Sequence, residues 1–307
     1  MRVLITGGSG LVGSNLIEHS LSKKHDLLIP SSKQLDLMNL NLTRKYLKRN
    51  QPQLIIHCAG HVGGILANMK DPHSFLFKNV TMGSNLISSS YELGIKKLIN
   101  LASSCIYPKS IKNPLKEHKI LSSPLEPTNE GYSLAKIYCL KLCEYISKKN
   151  SQFLYRSLIP CNLYGRYDKF DLNSGHMVAS AILKVLNANK SKKKIVKIWG
   201  SGKVKREFMY AQDLADFIWR NLNNLKKMPH YMNVGCGYDH TIKDYYLTII
   251  NKVNSDLKII YDRSKPDGMK QKLLDISSQK KLDWVPKTNL SQGIDEAIKF
   301  CKKKYGI

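Results

Sequence analysis

The sequence predicts an α/β protein, a doubly wound parallel sheet with a smaller C-terminal α/β domain. Three observations predict it. Short apolar runs alternate with helical patterns through the first half of the chain. A glycine-rich turn, Gly7-Gly8-Ser9-Gly10-Leu11-Val12-Gly13, joins the first apolar run to the first helical one. After about Asn162 the alternation weakens, and Pro266, Pro286 and scattered glycines punctuate shorter elements. Strands alternating with helices build βαβ units, whose strands run parallel and whose crossovers are right-handed.

The elements follow in order. Val3–Thr6 reads as a buried strand and Leu11–Leu21 as a helix. Leu27–Ile29 is a second strand, Thr43–Arg49 a helix and Leu54–Cys58 a third strand. Asn79–Leu93 is a long helix and Leu98–Ala102 a fourth strand. Tyr132–Lys149 is another helix, and Phe153–Ile159 a fifth strand. Residues 1–163 are expected to form the sheet domain and residues 164–307 the second domain. A helix near Asp213–Leu222 and a strand at Tyr231–Val234 are expected to rejoin the main sheet, so the return spans about 208–235. No low-complexity linker separates the halves, which predicts tight packing between them.

The glycine turn has a mechanism. Gly7 permits the tight turn, Gly10 lets a pyrophosphate approach the backbone, and Gly13 lets helix and strand pack closely. The helix start offers N–H groups and a positive dipole end to the phosphates. The turn therefore predicts a dinucleotide, and the fold becomes Rossmann-type. An NAD enzyme usually places a carboxylate at the end of the second strand for the ribose 2′-hydroxyl. This chain has Ser31, Ser32 and Lys33 there, hydroxyls and a cation that suit a 2′-phosphate, so NADP(H) is expected. Asp36, in Leu35-Asp36-Leu37, lies further on and is expected beside the adenine.

Tyr132-Ser133-Leu134-Ala135-Lys136 is a YxxxK pair. Spacing of four on a helix puts both side chains on one face. An ammonium beside a phenol favours the phenolate, which predicts a lowered Tyr132 pKa. Such a phenol is a usable proton donor to a carbonyl receiving a hydride.

Composition narrows the remaining choices. The formal net charge is +26, from 49 Lys+Arg against 23 Asp+Glu, in a chain of 307 residues. The basic residues are mostly scattered lysines, and the clusters Lys192–Lys194 and Lys302–Lys304 lack interleaved aromatics. That argues against nucleic acid and for a solvated surface that also attracts a diphosphate. No apolar stretch is long enough for a membrane helix, and the start is too short before glycine for a signal peptide. A cytoplasmic protein is expected. The seven cysteines show no CxxC pair and no zinc spacing, so no metal is expected.

At this point the chain resembles the extended short-chain dehydrogenase/reductases, and within them the GDP-L-fucose synthase family. The resemblance rests on residues 57–65 (HCAGHVGGI), 103–108 (SSCIYP), 126–130 (EPTNE), 160–165 (PCNLYG) and 199–202 (WGSG), besides the two motifs above. It runs from the N-terminus to about Trp284. It implies a triad of Ser103, Tyr132 and Lys136, with Lys136 also holding the nicotinamide ribose. It implies Cys105 and His176 as base and acid for epimerisation at C3 and C5 of a 4-keto sugar. Gly7, Gly10, Leu11, Val12 and Gly13 would hold the cofactor with Ser31, Ser32, Lys33, Asp36 and Leu37. Ala59, Gly60, Pro160, Asn162, Leu163 and His176 would line its nicotinamide half. Lys184, Trp199, Arg206, Asp267 and Lys272 would bind a GDP-linked 4-keto-6-deoxy sugar, making the second domain the substrate-binding one. A homodimer through Rossmann-domain helices is also implied.

Two departures stand out. Lys184 replaces an arginine common in that family, keeping the charge but losing the planar fork. Cys161 replaces a threonine. A 4-keto-6-deoxy-heptose reductase with little or no epimerase activity, and, more distantly, an idle binding protein on the same scaffold, stay open on sequence alone.

Overall fold

The structure is a computed structural model that describes residues 1–172, 174–264 and 269–306. β1 (Arg2–Thr6), α1 (Leu11–Glu18), β2 (Asp26–Leu28), α2 (Leu40–Asn50) and β3 (Leu54–His57) come first. Next are α3 (Ile65–Lys70), α4 (Pro72–Glu92), β4 (Lys97–Leu101), α5 (Glu130–Lys149) and β5 (Leu154–Pro160). The second half holds β6 (Asn162–Tyr164), α6 (Met177–Lys190), β7 (Ile195–Trp199), β8 (Lys205–Arg206), β9 (Phe208–Tyr210) and α7 (Ala211–Arg220). It ends with β10 (Tyr231–Val234), β11 (His240–Thr241), α8 (Ile242–Lys252), β12 (Lys258–Asp262), β13 (Gln271–Lys272), α9 (Ser277–Lys280) and α10 (Leu290–Tyr305).

Among the described residues, six strands form the main sheet in the order β10-β5-β4-β3-β1-β2, every pairing parallel. The expected α/β class and Rossmann-type winding are what the chain adopts. Val3, Leu4 and Ile5 in β1 and Leu54, Ile55 and Ile56 in β3 are wholly buried. Apolar residues on both strand faces are the mark of a sheet covered by helices on each side. One apolar cluster packs on each face of the sheet, and a third belongs to α6, β7, α8 and α10.

The chain order reverses at β1, with β2 on one side and β3 on the other. The crevice beyond the carboxyl ends of β1 and β3 is therefore the switch point where such sheets bind ligands.

Several elements differ from the sequence reading. α1 stops at Glu18, and a short 3-10 turn over Ser20–Lys24 follows it. α4 begins at Pro72 rather than Asn79, because the Asp71 side chain caps it by accepting from the Ser74 N–H and proline suits a first helical position. α3 was missed altogether; its six residues carry too little periodicity to be seen. In the second half, two-residue strands such as β8, β11 and β13 are too short for a period-two pattern to register.

Candidate active site at the sheet switch point

The glycine turn sits at the switch point as its spacing demands. Gly7 has φ of +70°, and a Cβ there would lie 2.7 Å from the Ala59 nitrogen. Only glycine fits that approach of the turn to the end of β3. A Cβ on Gly13 would collide with the Gly7 carbonyl oxygen and lie 2.7 Å from Gly8 Cα, so this glycine sets the packing of α1 on β1. Gly10 is different. A Cβ there would meet the Gly7 oxygen at an ordinary 3.4 Å, and the residue is exposed. No side chain caps the start of α1, whose first N–H groups at Leu11, Val12 and Gly13 open into this space. The turn therefore has the bare surface and free donors that a pyrophosphate needs.

Along the crevice, Ser31, Ser32 and Lys33 follow β2 and are exposed. The Ser31 N–H and hydroxyl both donate to Gln34 Oε1, at 2.9 and 3.0 Å. Asp36 accepts from the Met38 N–H at 2.9 Å. The Leu37 side chain is buried in the core and its carbonyl accepts from Asn85 at 2.8 Å, so only its N–H is left to meet a ligand. On the other side, Ala59 and Gly60 form the rim after β3. Asn79 of α4 fixes that rim, accepting from the His61 N–H at 2.8 Å and donating to the His61 carbonyl at 2.9 Å.

The YxxxK pair and the serine meet as expected. Ser103 follows β4, and its hydroxyl accepts from the Cys105 N–H at 3.3 Å. The Ser103 side chain lies near enough to the Tyr132 phenol to act on its titration. Lys136 Nζ lies 5.6 Å from the Tyr132 ring centroid. It lies 3.7 Å from where a Cβ on Gly60 would stand. It is buried and donates to the Leu101 carbonyl at 2.9 Å. An ammonium has three donors, so two more are available at the rim.

The electrostatics correct one expectation. The Tyr132 phenol is pushed up, not down. Burial is the largest cause, charge on Cys105 adds to it, and the Ser103 side chain opposes them. Burial also lowers the Lys136 pKa, and its ammonium is turned to a carbonyl rather than to the phenol. Tyr132 therefore stays a protonated phenol at neutral pH. His57, beneath the rim, accepts or donates at 2.8 Å to Thr6 and is lowered to about 3 by burial and then by the charge of Lys136, so it stays neutral.

Cys105 lies half-buried in the same loop, its carbonyl held by the Ser133 hydroxyl at 2.9 Å. His176 stands at the start of α6, 45 % exposed, with Nδ1 3.1 Å from Asp168. That partnership raises its pKa; the hydrogen bond is the largest cause, and burial opposes it. The loop that carries His176 approaches the segment after β3, since a Cβ on Gly64 would lie 3.7 Å from the Gly175 carbonyl oxygen. Pro160 ends β5. Asn162 and Leu163 begin β6, where Asn162 donates to the Glu207 carbonyl at 3.0 Å.

Of the residues expected at the sugar nucleotide, two pair across short strands and two lie at β7. Arg206 and Lys272 are register partners in β8 and β13. Arg206 donates to the Met269 carbonyl at 2.6 Å. Lys184 of α6 donates to the Lys197 carbonyl at 3.0 Å, and burial lowers its pKa. Trp199 is exposed at the end of β7. The next residue opens a cavity of about 640 Å³ whose lining includes Lys203, Lys243 and Arg263. A second cavity, about 510 Å³, is lined by His61, Gly63, Phe75, Lys169 and Ser174. The ring edge of Phe75 faces Tyr132, with centroids 6.3 Å apart. Asp267 lies outside the described residues.

Sequence reasoning missed three residues that hold this site. Asn79 sits eighteen residues from its partner, with nothing local to mark it. Asp168 precedes His176 by eight, a spacing with no helical or strand meaning. Glu207 is wholly buried and accepts N–H bonds from Cys236, Gly237 and Leu274. Its one signal is a carboxylate beside apolar Phe208-Met209-Tyr210. Burial pushes its pKa up to about 7, against those three bonds.

Known proteins share this architecture. The chain is 47 % identical over 300 residues to the GDP-L-colitose synthase of Yersinia pseudotuberculosis, covering 98 % of this chain and 97 % of that one. It is 42 % identical to the GDP-L-fucose synthase of Azorhizobium caulinodans, covering 97 % and 96 %. Among solved structures, the GDP-mannoheptose C4 reductase from Campylobacter jejuni with NADP bound superposes with a TM-score of 0.89 at 28 % identity, covering 98 % of each chain. Residues 3–235, from β1 through β10, match the NAD dependent epimerase/dehydratase family, and the chain belongs to that family.

Proposed function

We propose that this protein reduces the C4 ketone of a GDP-linked 4-keto-6-deoxy sugar with NADPH, after exchanging protons at C3 and C5. One observation carries the reading: Ser103, Tyr132 and Lys136 assemble within reach of the Gly60 rim, at the switch point where the Gly7–Gly13 turn lies. The relatives' names supply the substrate class, since all three act on GDP sugars by name.

NADP(H) fits the crevice. The turn over Gly7, Gly10 and Gly13 holds the pyrophosphate with the N–H groups of Leu11 and Val12. Ser31, Ser32 and Lys33 face the 2′-phosphate, while Asp36 and the Leu37 N–H meet the adenosine. Ala59, Gly60, Pro160, Asn162, Leu163 and His176 wall the nicotinamide half, and Lys136 takes its ribose hydroxyls. Bound NADPH supplies the hydride.

The residues do the rest. Ser103 donates to the C4 oxygen and stabilises the developing alkoxide. Tyr132, a phenol at neutral pH, gives that oxygen its proton. The 4-keto group acidifies the neighbouring C–H bonds, so Cys105 and His176 exchange protons there before reduction. Arg206, Lys184 and Lys272 face the diphosphate, Trp199 offers an apolar face, and Asp267 completes the set by resemblance. Lys203, Lys243 and Arg263 add positive potential nearby. The enzyme works in the cytoplasm as a homodimer, joined through the outer faces of α4 and α5. Nucleic acid and membrane play no part in this reading, and no helix among the described residues is long and apolar enough to cross a membrane.

A second reading has its own support. The relative at 47 % identity is named for L-colitose, which is L-fucose without the C3 hydroxyl. A C3-deoxygenated ketone leaves only C5 to invert. The structural match to a mannoheptose reductase favours, more weakly, a longer sugar. Turnover of GDP-4-keto-6-deoxy-mannose, its 3-deoxy analogue and the heptose, each with NADPH and NADH, separates the readings. The expected result is NADPH oxidation with one hexose, and deuterium from solvent at C5. Failure with all three ketones removes the reductase assignment.

A further inference from the structure

The loop between β6 and α6 holds a buried carboxylate that the scheme above leaves unused. Asp168 is 2 % exposed. Its Oδ1 accepts from the Lys169 N–H at 2.8 Å and pairs with His176 Nδ1 at 3.1 Å. Its Oδ2 is shielded from solvent and has no hydrogen-bond partner among the described residues. An unpartnered buried oxygen is costly, the more so when charged, so a fold keeps one where the group has another task.

That task is not closing the loop. Asp171 does so: its carboxylate accepts from the Ser174 N–H at 2.7 Å and hydroxyl at 2.6 Å, and its carbonyl accepts from Ser180 at 2.7 Å. Nor does Asp168 cap α6, whose start has no side-chain cap. Among the described residues the imidazole is its only side-chain partner.

We propose that Asp168 is the positioning residue for His176, fixing the ring by Nδ1 so that Nε2 faces the sugar and balancing its charge when it is protonated. The inference rests on the epimerase reading of Cys105 and His176. In that step the Cys105 thiolate takes the proton from the carbon beside the ketone, and the C–H electron pair moves to give an enolate with its charge on the C4 oxygen. His176 Nε2–H then returns a proton to the opposite face, and the enolate collapses to the ketone. The thiolate has become a thiol and the imidazolium an imidazole, so charge and protons balance. A carboxylate on Nδ1 holds one tautomer and favours the charged ring. Among the described residues, Asp168 is the charged side chain that acts on the titration of His176.

The test uses full-length protein. Asp168→Asn keeps the shape and removes the charge. The His176 ring, followed by NMR, is expected to titrate at lower pH in this variant. Solvent deuterium wash-in at C5 is expected to fall about 10²-fold. Oxidation of the GDP-L-sugar product by NADP⁺, in which Tyr132 takes the hydroxyl proton and no Cys105–His176 step is needed, is expected to fall much less than wash-in does, and equal loss of both overturns the proposal. In a His176→Gln background, Asp168→Asn is expected to have no further effect on wash-in. An unchanged His176 titration overturns the proposal, whatever the substrate. Equal loss of wash-in in both backgrounds also overturns it, because Asp168 then acts by some other route. Absence of wash-in in the unaltered enzyme overturns the epimerase reading, and the proton-transfer half of this proposal with it.

Discussion

Tyr132 is the side chain on which the proposed reduction turns, and its surroundings decide what it can do. A phenol raised by burial beside a carbonyl-turned lysine is protonated at neutral pH, so in the reducing direction it has a proton to give. Tyr132→Phe is expected to lower kcat for NADPH oxidation about 10²–10⁴-fold, the usual loss for a general acid. The ring would still pack on Phe75, so the fold should hold; full activity in this variant would remove Tyr132 from the mechanism. Gly13→Ala tests the turn. Its methyl would meet the Gly7 carbonyl, and such overpacking costs about 1–3 kcal/mol. A lower Tm and a raised KM for NADPH are expected; an unchanged KM would mean the turn does not hold the cofactor. Both sites were legible because their geometry is local, a turn of seven residues and one helical spacing. Asp168 and Asn79 were not, because their partners meet them only once loops have folded. The expected lowering of the Tyr132 pKa failed for a related reason: residue spacing reports neighbours and says nothing of burial.

At the level of elements, Glu207 ties three segments into one wall. Its carboxylate takes N–H bonds from the turn after β10 and the segment after β13, while its main chain accepts from Asn162. Glu207→Ala orphans three N–H groups at about 1–3 kcal/mol each, so a large loss of Tm is expected. Because β13 carries Lys272, the KM for the GDP sugar should rise more than kcat falls; the reverse split would place Glu207 elsewhere in the mechanism. The pH sign follows from the raised pKa. The folded protein binds this proton more tightly than the unfolded chain does, so the contribution is full below the ordinary 4.5 and is lost as pH rises through about 7. Glu207→Gln should flatten that part of a Tm-against-pH curve; an unaltered slope would mean another group sets it. The strands of the main sheet were readable as apolar runs, since burial on both faces leaves an uninterrupted pattern. The two-residue strands that carry Arg206 and Lys272 were not, since their place comes from long-range pairing.

For the molecule as a whole, the outer faces of α4 and α5 expose Phe77 at 54 % and Tyr145 at 61 %, with Leu134 and Tyr138 also exposed. Apolar side chains gathered on one face mark an interface. Phe77→Asp combined with Tyr138→Asp is expected to give a monomer by light scattering, and a mass of one chain before substitution would sink the dimer. Net charge told against nucleic acid only through its scatter, because a total of +26 has no address until the fold distributes it. The return to the sheet at Tyr231–Val234 was visible in the sequence, and it has a consequence in time. β10 pairs with β5, yet seventy residues separate Pro160 from Tyr231. At roughly 5–20 residues per second, a ribosome takes about 4–14 s to make them. Through that interval the nascent chain must carry one flank of its half-made sheet unzipped, and any guardian it recruits has those seconds in which to act.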